Sequence, residues 1–204
     1  MDTLVVRGGM PGDEEGGDTR EVANASAFAR AKERVRGVRK AIGGVFEAYT
    51  ADAGDAMPLS GYAALMAAFG GMAAVTLAGL SRRGKLPKRY GVKDVVLFGI
   101  ATHKLTRILT RDWVTSPLRA PFTKYVESDG AGEVKEASRG TGLRRAIGDL
   151  ATCQFCAGPW VASGMLASSL VAPRPTRFVA TMLAIVTTSD FLHHVYARTK
   201  KLSE

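Results

Sequence analysis

The residues best placed for chemistry are two cysteines three apart, Cys153 and Cys156 in the run C-Q-F-C. Three chemistries fit that spacing. As a dithiol, one thiolate attacks a disulfide and the other resolves it, and a helix beginning just after the pair would lower a thiol pKa. As half of a metal site, the pair needs two more ligands, and the three histidines of the chain, His103, His193 and His194, are the candidates. His193 and His194 are adjacent, so on a helix they point about 100° apart and do not easily share one ion. As plain structure, two small soft side chains pack at a helix start beside Trp160, which reads as a membrane-interface anchor.

A second group is spread along the chain. Asp190 lies in a long apolar segment, where an ionisable residue is a functional candidate whose partner must be named. His194, one helical turn on, is one such partner, and Lys104 or Arg107 is another. A relay through Thr187, Asp190 and His194 is the sharper reading, and a pair that holds helices together is the plainer one. Arg107, Arg111, Asp112 and Arg119 suggest a polar network at a membrane surface, with Arg119 fixed between Pro117 and Pro121 and able to meet lipid headgroups. No cofactor is implied, because no phosphate-cradling glycine loop, H-E-x-x-H or nucleophile elbow occurs. A cytidine-deaminase site would need a His-x-Glu partner for the cysteines, and none is present.

These residues must be positioned by 204 residues, enough for one domain and a tail. Residues 1–25 are rich in Gly, Asp and Glu and predict a disordered acidic tail. Residues 26–50 predict an amphipathic helix, with Phe28, Ala31, Val35, Val38, Ile42, Val45, Phe46 and Tyr49 on one face and a basic opposite face. Such a helix suits a membrane interface or a partner groove. Pro58–Leu80 runs twenty-three residues without a charge, long enough to cross about 30 Å of hydrocarbon. Ala157–Ala172 and Phe178–Ala197, split by the break PRPTR, predict a transmembrane hairpin. Val92–Thr110 has one apolar face, but Lys104 and Arg107 would each cost roughly 2.5–3.5 kcal/mol at a bilayer centre. It therefore crosses with its polar face inside a bundle or lies at the interface.

The expectation is an all-α protein: a small polytopic bundle of three or four membrane helices over residues 58–197, an N-terminal amphipathic helix, and a basic tail at 198–204. The formal charge of +9 has a cause in topology, since basic loops flank the apolar segments on the cytoplasmic side. With three spans the count of Lys and Arg near the spans divides fifteen to four, and with four it divides twelve to seven. Both place residues 111–156 and the C-terminus in the cytoplasm. Nucleic acid is not an expected partner, because the basic clusters lack aromatic interleaving and any recognised binding motif. The N-terminal residues lack the apolar core and cleavage site of a secretory signal.

Residues 105–122, LTRILTRDWVTSPLRAPF, and 147–160, IGDLATCQFCAGPW, resemble a family of bacterial integral membrane proteins, the domain-of-unknown-function family thirteen-sixty. Its pattern is an R-L-T-R-L-like helix end, an acidic residue, P-L-R-x-P-F, a loop, and I-G-E-L-x-x-C-P-Y-C-x-x-x-W. The matching positions are Leu105, Thr106, Arg107, Asp112, Pro117, Leu118, Arg119, Pro121, Phe122, Ile147, Gly148, Asp149, Leu150, Cys153, Cys156 and Trp160. This chain departs from it in Lys104 for Arg, Asp149 for Glu and Gln154 for Pro. The resemblance spans roughly residues 92–195 and implies a bacterial cytoplasmic-membrane location and a helical architecture, with no known reaction. The leading expectation is a non-enzymatic interaction or assembly component that meets the lipid bilayer and a membrane protein partner or a second copy. The alternatives are a thiol-disulfide exchanger and a metal-binding membrane protein.

Overall fold

A computed structural model describes residues 15–51, 57–87, 89–130 and 132–203. By contact they form two units, divided after Gly54. The first is one helix, α1, Glu15–Tyr49. It starts inside the segment expected as a tail, while residues 1–14 of that segment lie outside the described residues.

The second unit is mostly helical. Its long elements are α2 (Leu59–Arg82), α3 (Val92–Arg111), α6 (Gln154–Val171) and α7 (Pro173–Ser203), and between α3 and α6 lie two short helices, α4 (Ser116–Arg119) and α5 (Gly142–Thr152). That connection corrects the all-α expectation. Thr123–Ser128 (β1) and Val134–Ser138 (β2) pair as an antiparallel hairpin, with a register shift between Tyr125 and Glu127. Gly130 and Gly132, both at positive φ, allow the turn that joins the strands.

Polar pairs fix how the helices run. Asp94 near the start of α3 bonds Arg177 near the start of α7, and further along Lys104 bonds Asp190, so α3 and α7 are parallel. Tyr62 in the first turns of α2 reaches Asp149 just before α6, and Phe69 meets Trp160, so α2 and α6 are parallel too. Phe98 shares a groove with Ser169 and Leu170, and Leu105 with Val161 and Met165, which makes α3 antiparallel to α6. The start of α2, the ends of α3 and α7, and the start of α6 therefore gather at one end with α4, α5 and the hairpin. We call this end the cap.

At the other end the expected PRPTR break narrows to Ala172, the sole residue outside helical structure between α6 and α7. Ala172 leaves helical geometry at φ −135°, ψ 70°, and α7 starts on Pro173, whose fixed φ and missing N–H suit a first helical turn. The Thr176 N–H and hydroxyl both donate to the Ala172 carbonyl.

Two helices, α2 and α7, are long and apolar enough to cross a membrane, where three or four were expected. With 18 residues α6 reaches only about 27 Å, and α3 carries Lys93, Asp94, Lys104 and Arg107. The expected basic tail at 198–204 continues α7 as far as Ser203.

Much apolar surface stays exposed and little is buried. Among the described residues, seven apolar and six polar or charged side chains are buried, with the core reduced to Ala101, Met165, Ala180 and Leu183. Met66, Val75, Phe178, Ile185 and Phe191 are each more than 60% exposed. Large contiguous apolar surfaces of this kind mark contact with another apolar phase.

Candidate functional site

The cap is built around Arg119. Pro117 at the start of α4 suits a helix opening, and this single turn swings the Arg119 side chain under the end of α3. Arg119 has five N–H donors, and each has a partner. Nε donates to Glu136 Oε2 at 2.7 Å. One terminal nitrogen donates to the Leu109 carbonyl at 2.9 Å and Thr115 Oγ1 at 2.6 Å, and the other to the Asp112 carbonyl and Ser116 Oγ, both at 3.1 Å. Thr123 Oγ1 adds a bond to the same Glu136 oxygen at 3.1 Å. The Arg119 and Glu136 side chains are 3% and 6% exposed, so this is a fully paired buried charge. It also satisfies carbonyls that the end of α3 would leave without donors, at the negative end of the helix dipole.

Two further ion pairs fasten the hairpin turn to α3. Arg107 bonds Glu133, with Nε at 2.6 Å, and Arg111 bonds Asp129 at 3.2 Å. On the outer face, Lys135 donates to Glu127 at 2.7 Å. That bond holds the Glu127 carboxyl below its ordinary range and the Lys135 ammonium above its own. The rings of Trp113 and Tyr125 pack at 5.7 Å on the exposed side of the cap.

The motif I-G-D-L supplies the second joint. Gly148 lies so close to the hairpin that a Cβ there would sit 2.5 Å from the Phe122 carbonyl oxygen and 2.8 Å from Ser138 Cβ. Asp149 accepts from Tyr62 at 2.7 Å and from Ser138 at 2.6 Å, one on each oxygen, and so ties α2 to β2. Alongside, a Cβ at Gly61 would lie 2.7 Å from Ala146 Cβ, which shows how closely α2 and α5 approach.

The structure brings some of the expected residues together and separates others. Arg107 and Arg119 both enter the cap, but they bind Glu133 and Glu136 from the hairpin. Asp112 takes part through its carbonyl. Asp190 pairs with Lys104 at 2.8 Å, while His193 and His194 lie exposed on α7. Cys153 and Cys156 are disulfide-bonded at the first turn of α6, and the Cys156 N–H donates to Cys153 Sγ at 3.2 Å. Their sulfurs are bonded to each other, and among the described residues no three metal-ligating side chains come together, so the expected Cys–His grouping is not assembled. Trp160 packs edge-on against Phe69 at 5.1 Å. Beside it an apolar groove of about 430 Å³ opens between α2, α5 and α6, lined in part by Tyr62, Asp149, Cys156 and Trp160.

Tyr62, Ser138, Glu133 and Glu136 were not among the sequence candidates. Glu133 and Glu136 had one available cue, as two of four acidic residues, with Glu127 and Asp129, in the connection between two arginine-bearing segments. The arrangement as a whole joins helices and hairpin through polar contacts, and among the described residues Arg145 Nε on α5 is a buried side-chain nitrogen without a hydrogen-bond partner.

Comparison with known proteins identifies a family. The family described as "Protein of unknown function (DUF1360)" matches residues 97–196, from α3 through the cap to α7. Sporulation protein YjcA of Bacillus subtilis (strain 168) is 34% identical over 94 residues, covering 45% of this chain and 80% of that protein. No solved structure matches significantly. The matched stretch holds Arg107, Arg119, Gly148, Asp149 and both cysteines, and on these grounds the chain belongs to the DUF1360 family.

Proposed function

We propose that this is a multi-pass protein of a bacterial cytoplasmic membrane that acts non-enzymatically as an interaction or assembly component. The observation that carries the reading is the outward-facing apolar surface of α2 and α7, joined to a cap in which the buried Arg119 is paired with Glu136. In this reading α3 and α6 cross with α2 and α7 as a four-helix bundle, because α3 is packed alongside both α6 and α7. Lys104 is tolerable at that depth because Asp190 pairs with it. The cap, the N-terminus and the C-terminus then share the cytoplasmic side, the twelve-to-seven division of basic residues.

A cap with paired charges and the exposed apolar residues Trp113, Val114 and Leu118 suits contact with a partner better than turnover of a substrate. The Bacillus relative is described as a sporulation protein, which directs the search for partners toward membrane assemblies of spore formation. The test is gentle detergent extraction of the tagged full chain and identification of what co-purifies. A defined partner lost on Trp113→Ala or Leu118→Ala supports the reading. A chain that stays soluble after cell lysis without detergent refutes its membrane part.

A second reading, thiol-disulfide exchange, is favoured by the Cys153–Cys156 bond beside the apolar groove. Replacing both cysteines by Ser separates the two, since partner capture that survives the change eliminates exchange as the function.

A further inference from the structure

We propose that α1 is an amphipathic anchor that lies on an anionic membrane surface, with Arg34 and Arg39 as the contacts to lipid phosphates. The proposal rests on the membrane reading above. At about 100° per residue, Phe28, Ala31, Val35, Val38, Ile42, Val45, Phe46 and Tyr49 fall within an arc about 100° wide. Phe28, Val35, Val38, Ile42, Val45 and Tyr49 are all exposed. Arg34 and Arg39 border this arc, each about 70° from its centre on opposite sides. With Val35, Val38 and Ile42 they line one shallow apolar strip. Lys32 and Arg30 lie next to them, and Glu33 and Glu47 sit about 150–170° from the centre, on the pole away from the strip.

An apolar arc with cations on both rims, and with both carboxylates and Lys40 at the far pole, matches a lipid interface, where the arc enters the acyl boundary and long basic side chains reach phosphates. Arg34 and Arg39 take no part in the ion pairs of the described residues, so their charge is available. A second copy is the poorer occupant. Apposing two such arcs would set rim arginine against rim arginine and leave both carboxylates out of reach. Nine residues lie between α1 and α2 in the chain, and fully extended they span at most about 30 Å.

The test uses the full chain reconstituted in vesicles, with an environment-sensitive fluorophore on Ile42→Cys in one sample and Glu33→Cys in another. Both samples carry Cys153→Ser and Cys156→Ser, so that the introduced cysteine is the one labelled. Flotation after an alkaline wash reports membrane insertion independently. The expected result is a blue-shifted Ile42→Cys label in vesicles with 30% phosphatidylglycerol, an aqueous label in pure phosphatidylcholine, and an aqueous Glu33→Cys label in both. Arg34→Gln with Arg39→Gln lowers partitioning of the helix about thirtyfold, the factor for two basic charges at such a surface.

A chain that floats but whose Ile42→Cys label stays aqueous in both lipids overturns this proposal and leaves the membrane reading standing. A chain that does not float overturns the membrane reading itself. A label equally buried in both lipids, or buried only at high protein-to-lipid ratio, shows an apolar partner or a second copy and also overturns the proposal.

Discussion

Replacing Arg119 by Ala removes all five of its hydrogen bonds and strands the Glu136 carboxylate, 6% exposed, with only Thr123 Oγ1 as a donor at that oxygen. Breaking a buried pair by deleting one partner costs about 3–5 kcal/mol, most of it the penalty of the charge left behind. Arg119→Lys keeps the charge but offers three donors in place of a planar fork of five, a loss of two bonds and about 2 kcal/mol. At about 2–4 °C per kcal/mol for a chain of this size, Arg119→Ala is expected to lower Tm by about 6–20 °C, and Arg119→Lys by about half as much. Thermal unfolding of the detergent-solubilised chain reads the shift. Hydrogen exchange over residues 123–138 reports whether the hairpin is the part released. The double variant Arg119→Met with Glu136→Gln should lose less than the two single changes together by at least about 1.5 kcal/mol, because no charge is then abandoned. A drop under about 2 °C for Arg119→Ala, with hairpin exchange unchanged, would refute the idea that this pair holds the cap.

Gly148→Ala is expected to destabilise the cap by at least about 1–3 kcal/mol, since the new methyl meets a backbone carbonyl that cannot swing aside, and Gly61→Ala should act similarly at Ala146. Gly70→Ala, mid-helix with open space around it, serves as the control in the same melts and is expected to leave stability unchanged or raise it by about 0.5–1 kcal/mol. Lys104→Ala leaves Asp190 unpaired and is expected to lower the yield of monodisperse protein on size exclusion, whereas Lys104→Met with Asp190→Leu restores it. Recovery no better than in the single variant would count against a pairing role. Cys153→Ser with Cys156→Ser opens a loop of only four residues, so Tm should fall by no more than the equivalent of about 2 kcal/mol. A collapse of the fold would show that the bond is a main structural tie.

The helices were legible where a pattern runs within one segment. The uncharged run after Pro58 and the apolar stretch after Phe178 each announce themselves without reference to the rest of the chain, and they became α2 and α7. The hairpin was not legible. TKYVES and VKEAS are short and largely polar, the first exposed at every position after Thr123 and the second at Lys135 alone, so neither alternates strongly enough to stand out from a charged loop. With the hairpin hidden, the partners of Arg107 and Arg119 were hidden as well, because Glu133 and Glu136 reach them only once the strands pair. Asp149 shows the same limit. The motif around it could be recognised, but its bond to Tyr62 spans 87 positions and depends on how closely Gly61 lets two helices approach.

The single-residue joint at Ala172 has a bearing on biogenesis. In the multi-pass reading, a connection of that length would give the ribosome-bound chain no room to release α6 into lipid and hold α7 back, so the two would leave the insertion machinery as one folded hairpin, the longer α7 carrying the shorter α6 with it. A spacer of several residues inserted after Ala172 uncouples them, and glycosylation-site mapping of the lengthened chain would find α6 left outside the bilayer in a share of the molecules.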